Sequence, residues 1–273
     1  VLTLQEGDPI SHIKKKMLLL WPLFVRGFTK ADLIQPISTF LAAWARDMGY
    51  KGHVEIVPNA VDTEHFSQEY PKEELDALKQ KLGKKLDEKY IITTSRLVHK
   101  NAIDDVIVAL AGLPETVKFL ILGSGPDEAV LKDLAKENGV SDRVMFLGQV
   151  DHKEMPKYLK ISDVFTRPSR SEGFGISFVE AMAAEIPVVA TQEGGLADFL
   201  FDPDRNKDKK PTGIAVNASD PKDLARGLKR ALEDTELIHT MVLYAARMVR
   251  EKYDWNLIAK NMREKVFGVL FEK

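Results

Sequence analysis

Apolar residues along this chain fall into short continuous runs, separated by stretches of helical periodicity. The runs at 90–94, 118–122, 144–147, 164–166 and 187–190 lack the polar alternation of a half-solvated strand, so they read as strands covered on both faces. Between them, residues 103–111, 128–138, 153–161 and 176–184 space their apolar positions as helices do. Repeated strand–helix units with short connections imply an α/β protein with a parallel sheet, helices on both faces and right-handed crossovers. Ligands of such sheets bind outside the carboxyl ends of the strands.

The pattern upstream is thinner. Residues 1–4 alternate and run into the turn Glu6-Gly7-Asp8-Pro9. Residues 11–30 have helical spacing, 32–36 form a short strand, and Ser38 caps a helix that ends at Gly49. A buried strand at 54–57 leads into the turn Pro58-Asn59-Ala60. These strands are too few to close a sheet of their own and need partners. Residues 62–89 are polar and helical and read as a linker. Beyond the last strand come a charge-rich loop at 202–211 and helices at 221–233, 236–252 and 255–271.

Composition narrows the class. The chain has 273 residues, 44% apolar and 29% charged, which is ordinary for a soluble globular protein of one large or two modest domains. A formal charge of -2 argues against general nucleic-acid binding. The absence of cysteine excludes disulfides and thiolate metal sites and fits a reducing, cytoplasmic compartment. The run 17–25 is too short to span a bilayer and contains Pro22. With Lys14-Lys15-Lys16 before it, a membrane-peripheral helix is one reading and a buried helix with a solvated end the blander one. The chain starts at Val1, within a strand pattern, which predicts a fragment or a processed product.

Five loops follow predicted strands. Ser95-Arg96-Leu97-Val98-His99-Lys100 places two cations four positions apart, which suits a diphosphate; taken alone, they are two solvated surface charges. Gly123-Ser124-Gly125-Pro126 allows close backbone approach to a ligand, a weak signal because many such turns contain glycines. The strand through Leu147 ends at Gly148, where backbone groups can meet a base edge or simply end a core strand. The run from Ser171 to Ala184 holds Glu172 and Glu180 around Phe174, Gly175 and Ile176. A glycine-rich loop opening a helix is an anion site, and a carboxylate can accept from both hydroxyls of a ribose. The bland alternative is a loop charge at Glu172 and a helix-dipole partner at Glu180. Gln192-Glu193-Gly194-Gly195 suits phosphate or sugar contact.

Together, Arg-Leu-Val…Lys, Gly-Ser-Gly-Pro, Val-x-Phe-Leu-Gly, Ser-Glu-Gly-Phe-Gly…Glu-Ala-Met-Ala and Pro-Val-Val-Ala-Thr…Gly-Gly resemble the family 4 retaining glycosyltransferases, of the glycogen synthase and mannosyltransferase type. The resemblance runs from about Tyr90 to the end and extends to 31–40 and 56–66. It implies the GT-B architecture of two facing Rossmann-like domains. Residues 1–66 would be the end of the acceptor-side domain, 67–89 the linker and 90–250 the nucleotide-sugar domain, with 251–273 a C-terminal helix able to pack back on the N-terminal part.

By resemblance, Arg96, Lys100 and Glu172 are the catalytic set: the two cations neutralise the departing diphosphate, and Glu172 lies at the transferred sugar. Gly123, Ser124, Gly125, Leu147, Phe174, Gly175, Ile176 and Glu180 bind the donor, Glu180 through its ribose. The implied reaction moves a hexose from a UDP- or GDP-sugar to an acceptor (glycan, lipid or small molecule) with retention, and with no cofactor and no metal.

Two positions depart from the family pattern. Where it places lysine and then glycine, this chain has Asn101 and Ala102. Either Lys100 reaches the phosphate from a shifted turn or the site is weakened. The family's N-terminal strand, glycine-rich loop and histidine contact have no counterpart after Val1, so a missing segment or second subunit is expected.

Rival readings are weaker. Asp202-Pro203-Asp204 matches a metal-binding Asp-x-Asp but sits in a charged loop. A glycoside hydrolase would also use two carboxylates, yet it has no need of phosphate-type loops. A module that holds a nucleotide sugar without turnover, and a structural subunit, are the alternatives from other classes.

Overall fold

The computed structural model describes residues 1–271 and contains two parallel sheets. The smaller is built from β1 (Leu2–Leu4), β2 (Leu33–Pro36) and β3 (His53–Val54), in the order β1-β2-β3. All four residues of β2 are buried, as expected of a strand between two neighbours. The helix Thr39–Asp47 starts where predicted, because extended Ser38 accepts the Leu41 amide on its hydroxyl at 3.3 Å.

Two expectations in this region change. The stretch 11–30 is not one helix but Ile10–Lys16, a 3-10 turn at Leu18–Leu20 and a helix Trp21–Thr29. Pro22 has no amide to donate and sits in the first turn of the second helix, so the chain must break ahead of it. The strand expected at 54–57 shortens to His53–Val54. The chain still follows β2, with Val57 N bonded to Pro36 O at 3.1 Å. The buried Gln35 side chain, however, donates to Val57 O at 2.6 Å.

The larger sheet is formed by β4 (Lys89–Thr94), β5 (Val117–Leu122), β6 (Val144–Gly148), β7 (Val164–Arg167), β8 (Val188–Ala190) and β9 (Ile214–Ala215). Its order is β6-β5-β4-β7-β8-β9, with every neighbouring pair parallel. Counted from β4, this is the three-two-one-four-five-six order of dinucleotide-binding sheets, with its reversal between β4 and β7. Those two strands pair only through Ile91 with Val164 and Ile92 with Phe165, then part toward their carboxyl ends. At their amino ends Asp163 holds them together, accepting from Tyr90 N at 2.8 Å and from Lys84 and Lys89 at 3.0 Å each. β9 escaped the sequence reading. It is two residues long, and Asp202 on the preceding loop caps its Ala215 amide at 2.8 Å.

The stretch 62–89 holds helices Thr63–Ser67 and Lys72–Lys81, with Phe66 1% exposed as an apolar anchor. After the helix Thr235–Lys252 the chain crosses back beside Val61, whose amide bonds Tyr253 O at 2.9 Å. The expected helix 255–271 is Trp255–Asn261, a π turn over Met262–Gly268 and a last turn Val269–Phe271, and residues 272–273 lie outside the described residues. Ile258 and Val266 pack there on Leu33 of β2 and on Val57, just after β3. One buried cluster joins both sheets, from Leu4, Ile34 and Trp44 to Phe165, Phe174 and Tyr253. A second fills the other face of the larger sheet around Val106, Ile107 and Phe119.

Candidate functional site

Where β4 and β7 part, a cavity of about 980 Å³ opens at the carboxyl ends of the strands. Ten of the eleven residues singled out above line it: Arg96, Lys100, Gly123, Ser124, Gly125, Glu172, Phe174, Gly175, Ile176 and Glu180. Leu147 does not; its side chain packs on the core from within β6, and Gln149, Val150 and His152 reach the cavity after it.

The loops after β4 and β5 are zipped together. Leu97 N bonds Ser124 O at 3.0 Å and Ser95 N bonds Leu122 O at 2.9 Å. Gly123 has a φ of 137°, and a Cβ there would lie 1.9 Å from Ser95 O. This glycine is therefore required by the neighbouring loop before any ligand is considered. Arg96 is exposed in the cleft. Asn101 turns inward instead, donating to Ser95 Oγ at 2.9 Å and Arg96 O at 2.7 Å, and is 6% exposed. It staples the loop, and Lys100 is the cation that this turn presents to the cleft. Its ammonium already meets Asp8 Oδ1 at 2.8 Å, from the loop after β1. Arg170 fixes the turn from behind, through its amide to Lys100 O at 2.8 Å and its guanidinium to Asp104 and Asp105.

Arg167, the last residue of β7, is a cleft residue that the sequence reading, which ended this strand at 166, left unassigned. It is 8% exposed, its Nη2 lies 2.5 Å from Glu172 Oε2, and its guanidinium sits over the Phe178 ring at 4.5 Å. Its guanidinium pairs with Glu172 and fixes that carboxyl group at the cleft. The backing of Glu172 comes from the loop expected to touch ligand: Gly195 N bonds Glu172 O at 3.0 Å, and a Cβ on Gly194 would stand 2.0 Å from that oxygen. Glu193 is exposed and does not line the cavity. Ser171 Oγ donates to Gly7 O at 3.0 Å, so the loop after β1 closes over the same corner.

The helix Ile176–Ala183 starts at left-handed Gly175. Phe174, 1% exposed, anchors it against Phe199 and Tyr253 and so presents only its backbone side to the cavity. Glu180 is buried in this helix, with Oε1 3.3 Å from His152 Nε2. Burial raises its carboxyl above the ordinary range, against the opposing pull of His152, Arg167 and His65. His152 is the second residue the reading missed. Asp202 accepts from the amides of Asp204, Arg205 and Ala215, which engages both of its oxygens with its own loop and β9.

Strand order, switch point and convergent loops define a doubly wound α/β protein with a polar, two-signed cleft at its crevice. Residues 75–248, more than half of the chain, match the family described as glycosyl transferases group 1, and the chain belongs to that family. It is 34% identical over 209 residues to an uncharacterized glycosyltransferase of Methanocaldococcus jannaschii, covering 76% of this chain and 52% of that protein. A GDP-mannose-dependent monoacylated alpha-(1-6)-phosphatidylinositol monomannoside mannosyltransferase of Corynebacterium glutamicum is 29% identical over 246 residues, covering 86% of this chain and 61% of that one. Among solved structures, Anabaena HepE in complex with UDP and glucose aligns with a TM-score of 0.84 at 22% identity, over 97% of this chain and 71% of that chain. The fold is thus of the GT-B type. The chain spans about half to three-fifths of the length of these curated relatives.

Proposed function

We propose that this chain carries the donor half of a retaining hexosyltransferase that uses a UDP- or GDP-sugar and no catalytic metal. The observation that carries the reading is the convergence of Arg96, Lys100, Glu172 and Glu180 on one cleft at the switch point. Glu180 takes the ribose hydroxyls. Arg96 and Lys100 face the diphosphate, where negative charge grows as the sugar departs, and Glu172, set by Arg167, meets the sugar hydroxyls. Stabilising the developing charge is the catalytic task, and loss of one preorganised donor typically lowers turnover by about 10²–10³. The two relatives named for their ligands, one GDP-mannose-dependent and one bound to UDP and glucose, support both donor bases.

Calorimetry against UDP, GDP and their sugars tests the reading. Glu180→Ala is expected to weaken nucleotide binding, whereas Glu172→Ala reduces transfer more than it reduces binding of the bare nucleotide. Unchanged affinity in Glu180→Ala removes the ribose role. A second reading, a module that holds the donor without turnover by itself, is favoured by the Lys100–Asp8 pair, which occupies one of the two phosphate cations.

A cytoplasmic, membrane-peripheral position belongs to the same proposal. Leu18, Leu19, Leu20 and Leu23 are 73%, 94%, 53% and 67% exposed, directly after Lys14–Lys16. Among the described residues no helix is long and apolar enough to cross a membrane. Co-sedimentation with anionic vesicles, lost in Leu19→Asp, checks it.

A further inference from the structure

Glu180 is held from outside its own helix. His152, in the loop after β6, puts Nε2 3.3 Å from Glu180 Oε1 while its side chain stays 60% exposed at the cleft. Its ring is stacked on His65 at 5.4 Å with 19° between planes, and Phe66 meets it edge-on at 5.2 Å. His65 Nε2 lies 3.1 Å from the His152 carbonyl, an acceptor, so that nitrogen carries a proton. Its Nδ1 is then free to accept from Gln68 Nε2 at 3.1 Å. Both ring nitrogens of His65 are thereby committed, and its plane is fixed as a platform. That platform belongs to the helix Thr63–Ser67, capped by Asp62, next to the crossover where Val61 meets Tyr253 and Trp255. A chain of contacts therefore runs from the crossover segment through His65 and His152 to Glu180.

We propose that His152 is a positioning residue for donor binding: seated on His65, it holds Oε1 of Glu180 so that Oε2 and the carboxylate's charge face the ribose. The inference rests on the ribose role of Glu180. A carboxylate buried in an apolar helix needs a donor to stay ionised, and an ionised carboxylate is what ribose hydroxyls require as an acceptor. The groups acting on Glu180 are His152, Arg167 and His65, from three different elements. Arg167 is committed to Glu172, which leaves His152 as the side chain bonded to Glu180 itself.

The test is nucleotide affinity of the full chain, measured with whichever of UDP and GDP binds more tightly, alongside a thermal melt of each variant. His152→Ala is expected to weaken binding about tenfold, the value of one charge-assisted hydrogen bond. His152→Gln keeps an N–H donor and should stay within about threefold of the parent. In a Glu180→Ala background, His152→Ala should change nothing further. Binding should fade as the pH falls through the Glu180 value, and in His152→Ala that midpoint should move to higher pH, a shift that a merely structural role would not produce. If Glu180→Ala weakens binding and His152→Ala does not, the positioning role is overturned while the ribose reading stands. If Glu180→Ala leaves affinity unchanged, both are overturned.

Discussion

The two sheets make different contributions to one cleft. The larger sheet supplies every loop that carries a candidate donor contact, and its inner strands β4, β5, β7 and β8 lie between apolar clusters on the two faces. The smaller sheet is held by ladders of three and two residue pairs, and the helical connection between its β1 and β2 exposes leucines at 18–20 and 23. To the cleft it offers strand ends: Gln5 and Gly7 after β1, Ile37 after β2 and Asn59 after β3. The difference shows where chemistry is built in this architecture. A sheet with a switch point gathers charged loops by topology, while the facing sheet sets how those loops are capped and reached.

The strongest way to break this contrast is to attack the rim of the larger sheet. Gly123→Ala forces a Cβ onto Ser95 O, at a backbone conformation that L side chains rarely adopt. The expected loss is about 4 kcal/mol from overpacking and backbone strain together, read by urea unfolding. A variant as stable as the parent would show that the two loops are not zipped.

Next in size is the staple at the amino ends of β4 and β7. Asp163→Ala leaves Lys84, whose side chain is 12% exposed, without its carboxylate, and should cost about 2–3 kcal/mol at neutral pH. Burial pushes the Asp163 carboxyl up, but the Tyr90 amide and the Lys84 and Lys89 ammonium groups outweigh it and hold it below its usual value. A depressed carboxylate stabilises the fold above its unfolded pKa, and that contribution is lost as the pH falls through the folded one. The parent should therefore lose stability on acidification more steeply than Asp163→Ala, as melts across the acid range would show.

How much of this was legible follows from how far each signal reaches along the chain. The buried parallel strands announce themselves because both of their faces need apolar residues, and Glu172 and Glu180 lie within one run of a recognisable loop and helix. β9 was silent because two residues cannot show a period and its anchor is Asp202, a distant side chain. The break at 17–20 was missed because Pro22 was weighed only against a bilayer span and not as the first turn of a new helix. His152 meets Glu180 across 28 positions, and Asn101 looked like a lost lysine until its inward bonds to Ser95 and Arg96 gave it a task. Arg167 carried a signal, a cation just past the predicted strand at 164–166 and close to the glutamate motif, to which the reading gave no role.

Asn101 is followed by Ala102 at a φ of 55° and ψ of 39°, a left-handed conformation. Placing an L side chain there costs roughly 1–2 kcal/mol, and glycine recovers this less its own larger loss of chain entropy. Ala102→Gly should therefore raise stability by about 0.5–1 kcal/mol with the cleft unchanged. A lower melting temperature would place the strain elsewhere in the turn.

The smallest effect joins the two sheets. Asp8, from the loop after β1, pairs with Lys100, from the loop after β4, at 2.8 Å, with the two side chains 46% and 33% exposed. Such a pair adds little to stability, because solvent screens it. Its consequence is local. Hydrogen bonding to Lys100 holds the Asp8 carboxyl below the ordinary range, so at neutral pH it remains a competitor for the ammonium that a diphosphate would use. Asp8→Asn removes the charge and keeps the shape. The melting temperature should hold, and UDP or GDP should bind about twofold to threefold more tightly, in keeping with the modest energy of an exposed ion pair. Lys100→Ala should abolish that gain. Tighter binding confined to the Lys100 background would show that the smaller sheet tunes a cation it does not own, and weaker binding in Asp8→Asn would mean that Asp8 orients Lys100 toward the phosphate.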